Sequence, residues 1–184
     1  MELVSGQLRL RPLTLADLTQ MVVWNRDPEL QFFVDCDLPT DLKSLEKWFH
    51  TNIPDRHYQI FIIEVAGLPV GDLELDHICW KKREAELRIR IGDKNYWNRG
   101  LGSEALHLIL DHFFGERDFQ RIYLRVYDFN KRAIRCYQKN GFKQIGFLHR
   151  ADRDWKNIIL MEINMNYYRH QVKRLKCSRI LYSA

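Results

Sequence analysis

Two glycines two residues apart, Gly100 and Gly102, open a helix after the polar and aromatic loop Asp93–Arg99. The first turn of a helix has backbone N–H groups with no carbonyl to receive them, and it carries the positive end of the helix dipole. With no large side chain in the way, such a turn suits a phosphate or pyrophosphate, and Arg99 adds a cation beside it. Taken alone, the pattern is equally a tight turn before a buried helix. Gly100-x-Gly102-x-x-Ala105 also satisfies the dinucleotide fingerprint, with Asp128 near the place of a ribose-binding acid. That fingerprint needs the strand to run straight into the first glycine. Here eight residues, Gly92 to Arg99, intervene, and the strands before them read as antiparallel hairpins. An NAD-binding Rossmann-like protein is therefore the remote alternative.

Further along, Asn130, Ala133 and Tyr137 fall at i, i+3 and i+7 and share one helix face, with Asn140-Gly141-Phe142 following. Together, Trp97-Asn98-Arg99-Gly100-Leu101-Gly102-Ser103-Glu104-Ala105 and Asn130-x-x-Ala133-x-x-x-Tyr137-x-x-x-Gly141-Phe142 resemble the GNAT superfamily of N-acetyltransferases. The opening LRLRPLTLADL and the stretch AELRIRIGDKNYWNRGLGSEAL resemble its branch of ribosomal-protein N-terminal and polyamine acetyltransferases, and the likeness spans residues 7–165. The resemblance implies a single-domain α/β fold: a mixed, mostly antiparallel sheet flanked by helices. Its fourth and fifth strands, here Glu86–Ile91 and Arg121–Tyr127, splay to admit acetyl-CoA as co-substrate. It also implies that the backbone of Ile89, Arg90 and Ile91 pairs with the pantetheine and polarises the thioester carbonyl. The loop Trp97, Asn98, Arg99, Gly100, Leu101, Gly102 and Ser103 would then bind the cofactor, its amides from Arg99 to Ser103 holding the pyrophosphate. Asn130 would bond the pantetheine arm and Ala133 would leave room for it. Tyr137 would protonate the departing thiolate as general acid. Trp97 stands where the superfamily usually has Gln or Arg, a position where the branch tolerates an aromatic.

Without the motif, a tyrosine on an amphipathic helix is a half-buried core residue. Cys136 lies about 100° round the helix from Tyr137, and a free cysteine commonly packs as a small hydrophobe. That leaves direct transfer in a ternary complex. The acceptor must attack as a neutral amine, and alkyl amines titrate near pH ~10, so a carboxylate base is expected. Asp72, Glu74 and Asp76 share one strand face and Glu86 begins the next strand, which makes Glu74 and Glu86 the candidate bases. The alternative is that Arg88 and Arg90 pair with these acids across the hairpin on a solvated face. Asp35, Asp37 and Asp76 are candidates for holding a cationic amine. The seven histidines form no HxxxH or HExxH pair, so no metal site is expected.

These residues need elements to place them. Leu8–Pro12 alternates as a strand, and Thr14 caps a helix with Leu15, Leu18, Met21, Val22 and Trp24 on its apolar side, closed by Asp27-Pro28. A looser segment through Phe32 and Phe33 ends at Pro39, and a second helix starts near Thr40 or Asp41. Strands over Tyr58–Val65, Val70–Ile78 and Glu84–Ile91 are joined by short turns. After the Gly100 helix come a strand at Arg121–Tyr127, a helix at Asn130–Lys139, and strands at Phe142–Leu148 and Ile158–Asn164. The order β-α-α-β-β-β-α-β-α-β-β indicates an α/β domain on a mixed sheet.

The chain has 184 residues, a length for one domain, and 29 basic against 24 acidic residues give a net charge of +5. Five of those basic residues, Arg169, Lys173, Arg174, Lys176 and Arg179, lie in Asn166–Ala184, which has no acid. Residues 1–165 are therefore a neutral body, the expected acetyltransferase domain, and 166–184 a basic tail or short helix. A neutral body makes nucleic acid an improbable partner and favours a small-molecule amine or a protein N-terminus. Apolar runs such as Phe61-Ile62-Ile63 are far short of a membrane span. The four scattered cysteines read as reduced thiols of a cytoplasmic protein. A homodimer fits the branch resembled. A non-catalytic acyl-CoA-binding or ribosome-associated module, with the tail as RNA anchor, is the nearer alternative.

Overall fold

The computed structural model describes residues 1–34, 39–149 and 157–170. Eight strands form one sheet: β1 (Leu3–Ser5), β2 (Leu8–Pro12), β3 (Gln59–Val65), β4 (Leu68–Cys79), β5 (Glu84–Ile91), β6 (Arg121–Tyr127), β7 (Lys143–Leu148) and β8 (Ile158–Asn164). Their order in space is β1-β2-β3-β4-β5-β6-β8-β7. Every neighbouring pair is antiparallel except β5 and β6. The strand at β1 escapes sequence reading, because three residues carry too little alternation to register.

The helices are α1 (Leu18–Arg26), α2 (Pro28–Phe32), α3 (Leu42–Asn52), α4 (Leu101–Leu110) and α5 (Lys131–Lys139). Thr14 and Asp17 cap a 3₁₀ turn, Leu15–Asp17, that runs into α1. Asp27-Pro28, expected only to close α1, also starts α2. The Asp27 carboxylate accepts from Glu29 N and Leu30 N, and Pro28 occupies the first turn, where a missing N–H costs nothing. Asp41 caps α3 by accepting from Ser44 N at 2.9 Å. Past Leu110, α4 continues as a π-helical segment, Asp111–Glu116, that buries Phe113 and Phe114.

The sheet has two differently covered faces. On one, Leu73, Leu75 and Leu87 meet Leu106, Ile109 and Ile134 of α4 and α5 in the main core. Burying Leu106 and Ile109 contributes about 1.5–3 kcal/mol each. On the other, Ile60 and Ile62 of β3 meet Leu18, Met21 and Leu45 from α1 and α3. The strand residues of that second cluster stop at β3, and on β4, β5 and β6 the same face carries polar side chains such as Asp72, Glu74, Arg88 and Arg125.

The packed body runs past residue 165. Residues 165–170 are helical, Tyr168 stacks on Phe114 with centroids 4.9 Å apart, and its hydroxyl donates to Asp111. The rest of the expected tail, 171–184, lies outside the described residues. Among the described residues no helix is long and apolar enough to cross a membrane.

Candidate active site

Strands β5 and β6 pair at three positions only, Glu84↔Arg121, Ala85↔Ile122 and Glu86↔Tyr123. Beyond Glu86 the edge of β5 faces a cavity of about 440 Å³ lined by Arg88–Ile91 on one side and Arg125–Tyr127 on the other. The expected splay is therefore present, and it begins at Glu86.

At the upper rim stands the start of α4. Gly100 is its N-cap at φ 82, a left-handed conformation that a side chain would strain, and it turns the loop into the helix. Ser103 N and Glu104 N both donate to Gly100 O, at 2.9 and 3.1 Å. The amides of Leu101 and Gly102 stand in the first turn, where no carbonyl lies four residues back within the helix. Asn98, Gly100, Leu101, Gly102 and Ser103 line the cavity, whereas Arg99 does not, its guanidinium lying 5.2 Å from the Tyr96 ring centre. Trp97 uses its indole structurally: Nε1 donates to Ile91 O at 2.7 Å, and Arg132 of α5 lies over the ring at 3.7 Å. One of the carbonyls expected to pair with the pantetheine is thus already engaged. Ile89 and Arg90 line the same edge.

The opposite wall is α5. The side chain of Asn130 caps this helix, its Oδ1 accepting from Ala133 N at 3.1 Å, and the residue lines the cavity. Ala133, Cys136 and Tyr137 line the cavity below it. Asn140 Nδ2 donates to Ser103 Oγ at 2.8 Å and to Cys136 O at 2.8 Å, tying the end of α5 to the start of α4. The Tyr137 ring is buried against Phe142, and no hydrogen bond among the described residues engages its hydroxyl. Burial pushes that hydroxyl well above the ordinary tyrosine range, so it stays protonated. Burial also pushes the Cys136 thiol up, which suits an inert cysteine better than an acyl carrier.

The floor is the polar face of β4, β5 and β6. Asp72 pairs with Arg90 at 2.8 Å, and Arg90 also donates to Asn25 Oδ1 of α1 at 2.8 Å. Glu74 faces Arg88 at 3.2 Å, and Arg88 donates to Asp76 as well. Glu86 accepts from Arg125 Nε at 2.8 Å. The predicted cross-hairpin pairs exist, but the acids of two of them are not solvated: Asp72 is 3% exposed and Glu74 is buried with it, whereas the Arg88–Asp76 pair is partly exposed; Glu86 is buried too. Burial, reinforced by Asp72, raises the Glu74 carboxyl above the ordinary range. Asp72, Glu74 and Glu86 line the cavity; Asp76 does not, and Asp35 and Asp37 lie outside the described residues. Phe33, Tyr127 and Arg125, which sequence reading did not single out, line it too. Their only signal was position: the residue after a short helix, and the far end of the strand facing Glu86. Among the described residues no group of three or more His, Cys, Asp and Glu is placed to hold a metal ion.

A sheet that opens beyond its one parallel pair, with a helix start at the rim and a buried phenol on the wall, defines an acyltransferase cleft of the N-acetyltransferase kind. The chain belongs to the acetyltransferase (GNAT) domain family, whose model matches residues 7–143. It is an acetyl-CoA-dependent N-acetyltransferase. It is 29% identical over 174 residues to spermidine N(1)-acetyltransferase of Escherichia coli K12, covering 88% of each chain. The spermidine N(1)-acetyltransferase of Vibrio cholerae is 27% identical over 146 residues, which are 79% of this chain and 84% of that one. The fold matches a crystal structure of the Vibrio cholerae spermidine N-acetyltransferase in complex with CoA and spermine with a TM-score of 0.80. The identity there is 24%, over 89% of this chain and 99% of that one.

Proposed function

We propose that this enzyme acetylates a primary amine of a small polyamine by direct attack on acetyl-CoA in a ternary complex. The observation that carries the reading is the cavity itself, where Tyr137, whose hydroxyl no hydrogen bond among the described residues engages, lines one continuous space with Glu74 and Glu86. The relatives named for spermidine support the acceptor class, as do three buried carboxylates on the floor.

The division of labour follows from position. The first-turn amides of Leu101 and Gly102 face a pyrophosphate, and Asn130 Nδ2 and the β5 edge at Ile89 and Arg90 hold the pantetheine arm. Glu86, at the last paired position before the strands part, accepts the proton of the incoming ammonium; Glu74 stands one strand further off. Tyr137, kept neutral by burial, donates its proton to the departing sulfur. Cys136 takes no part.

The test is acetyl-CoA turnover against spermidine, spermine, an aminoglycoside, an amino acid and a ribosomal-protein N-terminal peptide. Transfer to the polyamines with the highest kcat/KM is expected. CoA binding with no transfer to any amine would sink the reading in favour of a non-catalytic acyl-CoA-binding module.

A further inference from the structure

Strand β4 carries one residue too many opposite β5. Asp76 faces Glu86 and Cys79 faces Glu84, so His77 and Ile78 together stand opposite Ala85 alone. A bulge of this kind bends the strand and re-aims a side chain. Strict alternation would send His77 to the apolar face; instead Ile78 takes the core place and His77 joins the acids. The cost is a left-handed conformation at His77, φ 51, which persists only where neighbours hold it. His57 does so from both sides: Ile78 N donates to His57 O at 3.0 Å, and His57 Nδ1 donates to Ile78 O at 2.6 Å.

The bulge places His77 Nδ1 3.3 Å from Asp76 Oδ2 and 3.6 Å from Glu86 Oε2. The His77 side chain is 65% exposed, while Glu86 is buried and lines the cavity. Among the described residues, the other charged groups facing this cluster are Arg88, which donates to Asp76, and Arg125, which donates to Glu86; Tyr123 stands opposite Glu86 on β6. His77 thus touches bulk water on one side and the cavity's carboxylate on the other.

We propose that His77 is the proton outlet of the acetyl transfer, receiving from Glu86 the proton drawn from the acceptor and releasing it to solvent. It touches neither substrate nor cofactor; it is a positioning residue that acts through Glu86, and so rests on the reading of Glu86 as base. The proton balance requires an outlet. An alkyl ammonium loses two protons as its C–N bond forms and the C–S bond of acetyl-CoA breaks. One ends on the sulfur of free CoA. The other must leave the buried site at every turnover, and histidine is the side chain suited to such exchange near neutral pH.

The experiment compares His77→Gln and Glu86→Gln in the full chain with spermidine as acceptor, in dilute buffer and with added imidazole at constant ionic strength. His77→Gln is expected to lower kcat about tenfold, with both KM values within about twofold, and imidazole to restore it in a concentration-dependent way. Wild type should be insensitive to imidazole and Glu86→Gln should be inactive with or without it. A His77→Gln enzyme turning over as wild type, or losing activity that imidazole leaves unchanged, overturns the outlet and leaves His77 a mere neutraliser of Asp76 and Glu86. Wild-type turnover by Glu86→Gln would instead remove the base reading itself.

Discussion

The Arg132 guanidinium carbon lies 3.7 Å from the centre of the Trp97 ring, joining the first turn of α5 to the loop that leads into α4. The same indole reaches back to Ile91 O at 2.7 Å, so one side chain links three walls of the cleft. A guanidinium over an indole contributes about 0.5–2 kcal/mol, more when water is excluded. Trp97→Ala removes the stack and frees the Ile91 carbonyl, letting α5 and β5 move apart. Calorimetric titration with CoA should show affinity weakened by roughly 2- to 30-fold, since ~1.4 kcal/mol is tenfold. Unchanged affinity would refute a role for this link in holding the cleft.

Tyr137→Phe removes only a hydroxyl, one that no hydrogen bond among the described residues engages, so thermal stability should change little. As general acid its loss should lower kcat by about 10²–10⁴ while KM for acetyl-CoA stays within about threefold. Because burial raises this hydroxyl above its ordinary range, the wild-type rate should show no falling limb from Tyr137 below pH ~10. A Tyr137→Phe enzyme within threefold of wild-type kcat would assign the proton to another donor.

Much of this site is legible in the sequence because its parts are local. Gly100 and Gly102, the helix face of Asn130, Ala133 and Tyr137, and the alternation of Asp72, Glu74 and Asp76 each lie within one element and keep their spacing in the fold. The strands β2, β5, β6 and β8 run over the residues their alternation predicts, for the same reason. What stayed hidden depends on pairing between distant segments. Nothing near Glu86 announces Arg125, 39 residues on, as its partner. Asn130 read as a ligand donor, yet half of its amide caps its own helix. His77 was one of seven histidines without a metal pattern; only the register of β4 against β5 turns it toward the acids. The five residues of α2 gave no period to read, although Asp27-Pro28 is a cap and first-turn pair.

Gly92, between β5 and the loop that leads into α4, supports the Trp24 ring. A Cβ there would stand 2.3 Å from Cδ2 of Trp24, which is 2% exposed and cannot swing away without opening the cluster around α1. Overpacking of this kind costs about 1–3 kcal/mol. Gly92→Ala should lower the melting temperature by roughly 2–10 °C in a domain of this size. A melting temperature equal to wild type would mean that Trp24 has room the packing does not reveal.

The buried tyrosines make stability depend on alkaline pH. Burial holds the hydroxyls of Tyr58 and Tyr137 neutral well above the ordinary range, and the carboxylate of Glu74 adds to this at Tyr58. In the unfolded chain both ionise near pH ~10. Below that pH they are neutral in both states and stability is unaffected. Above it the unfolded chain loses protons that the native fold retains, so stability falls as pH rises, by about 1.4 kcal/mol per pH unit for each tyrosine. Urea denaturation should give a nearly constant midpoint between pH 8 and 9 and a steep decline above about pH 10. Tyr168, raised by burial and by its bond to Asp111, contributes in the same sense, so Tyr58→Phe should make the decline shallower without abolishing it. A midpoint that holds level to pH 11 would show that the two hydroxyls ionise in the native fold as readily as in the unfolded chain, and the burial argument for Tyr137 as a neutral acid would fall with it.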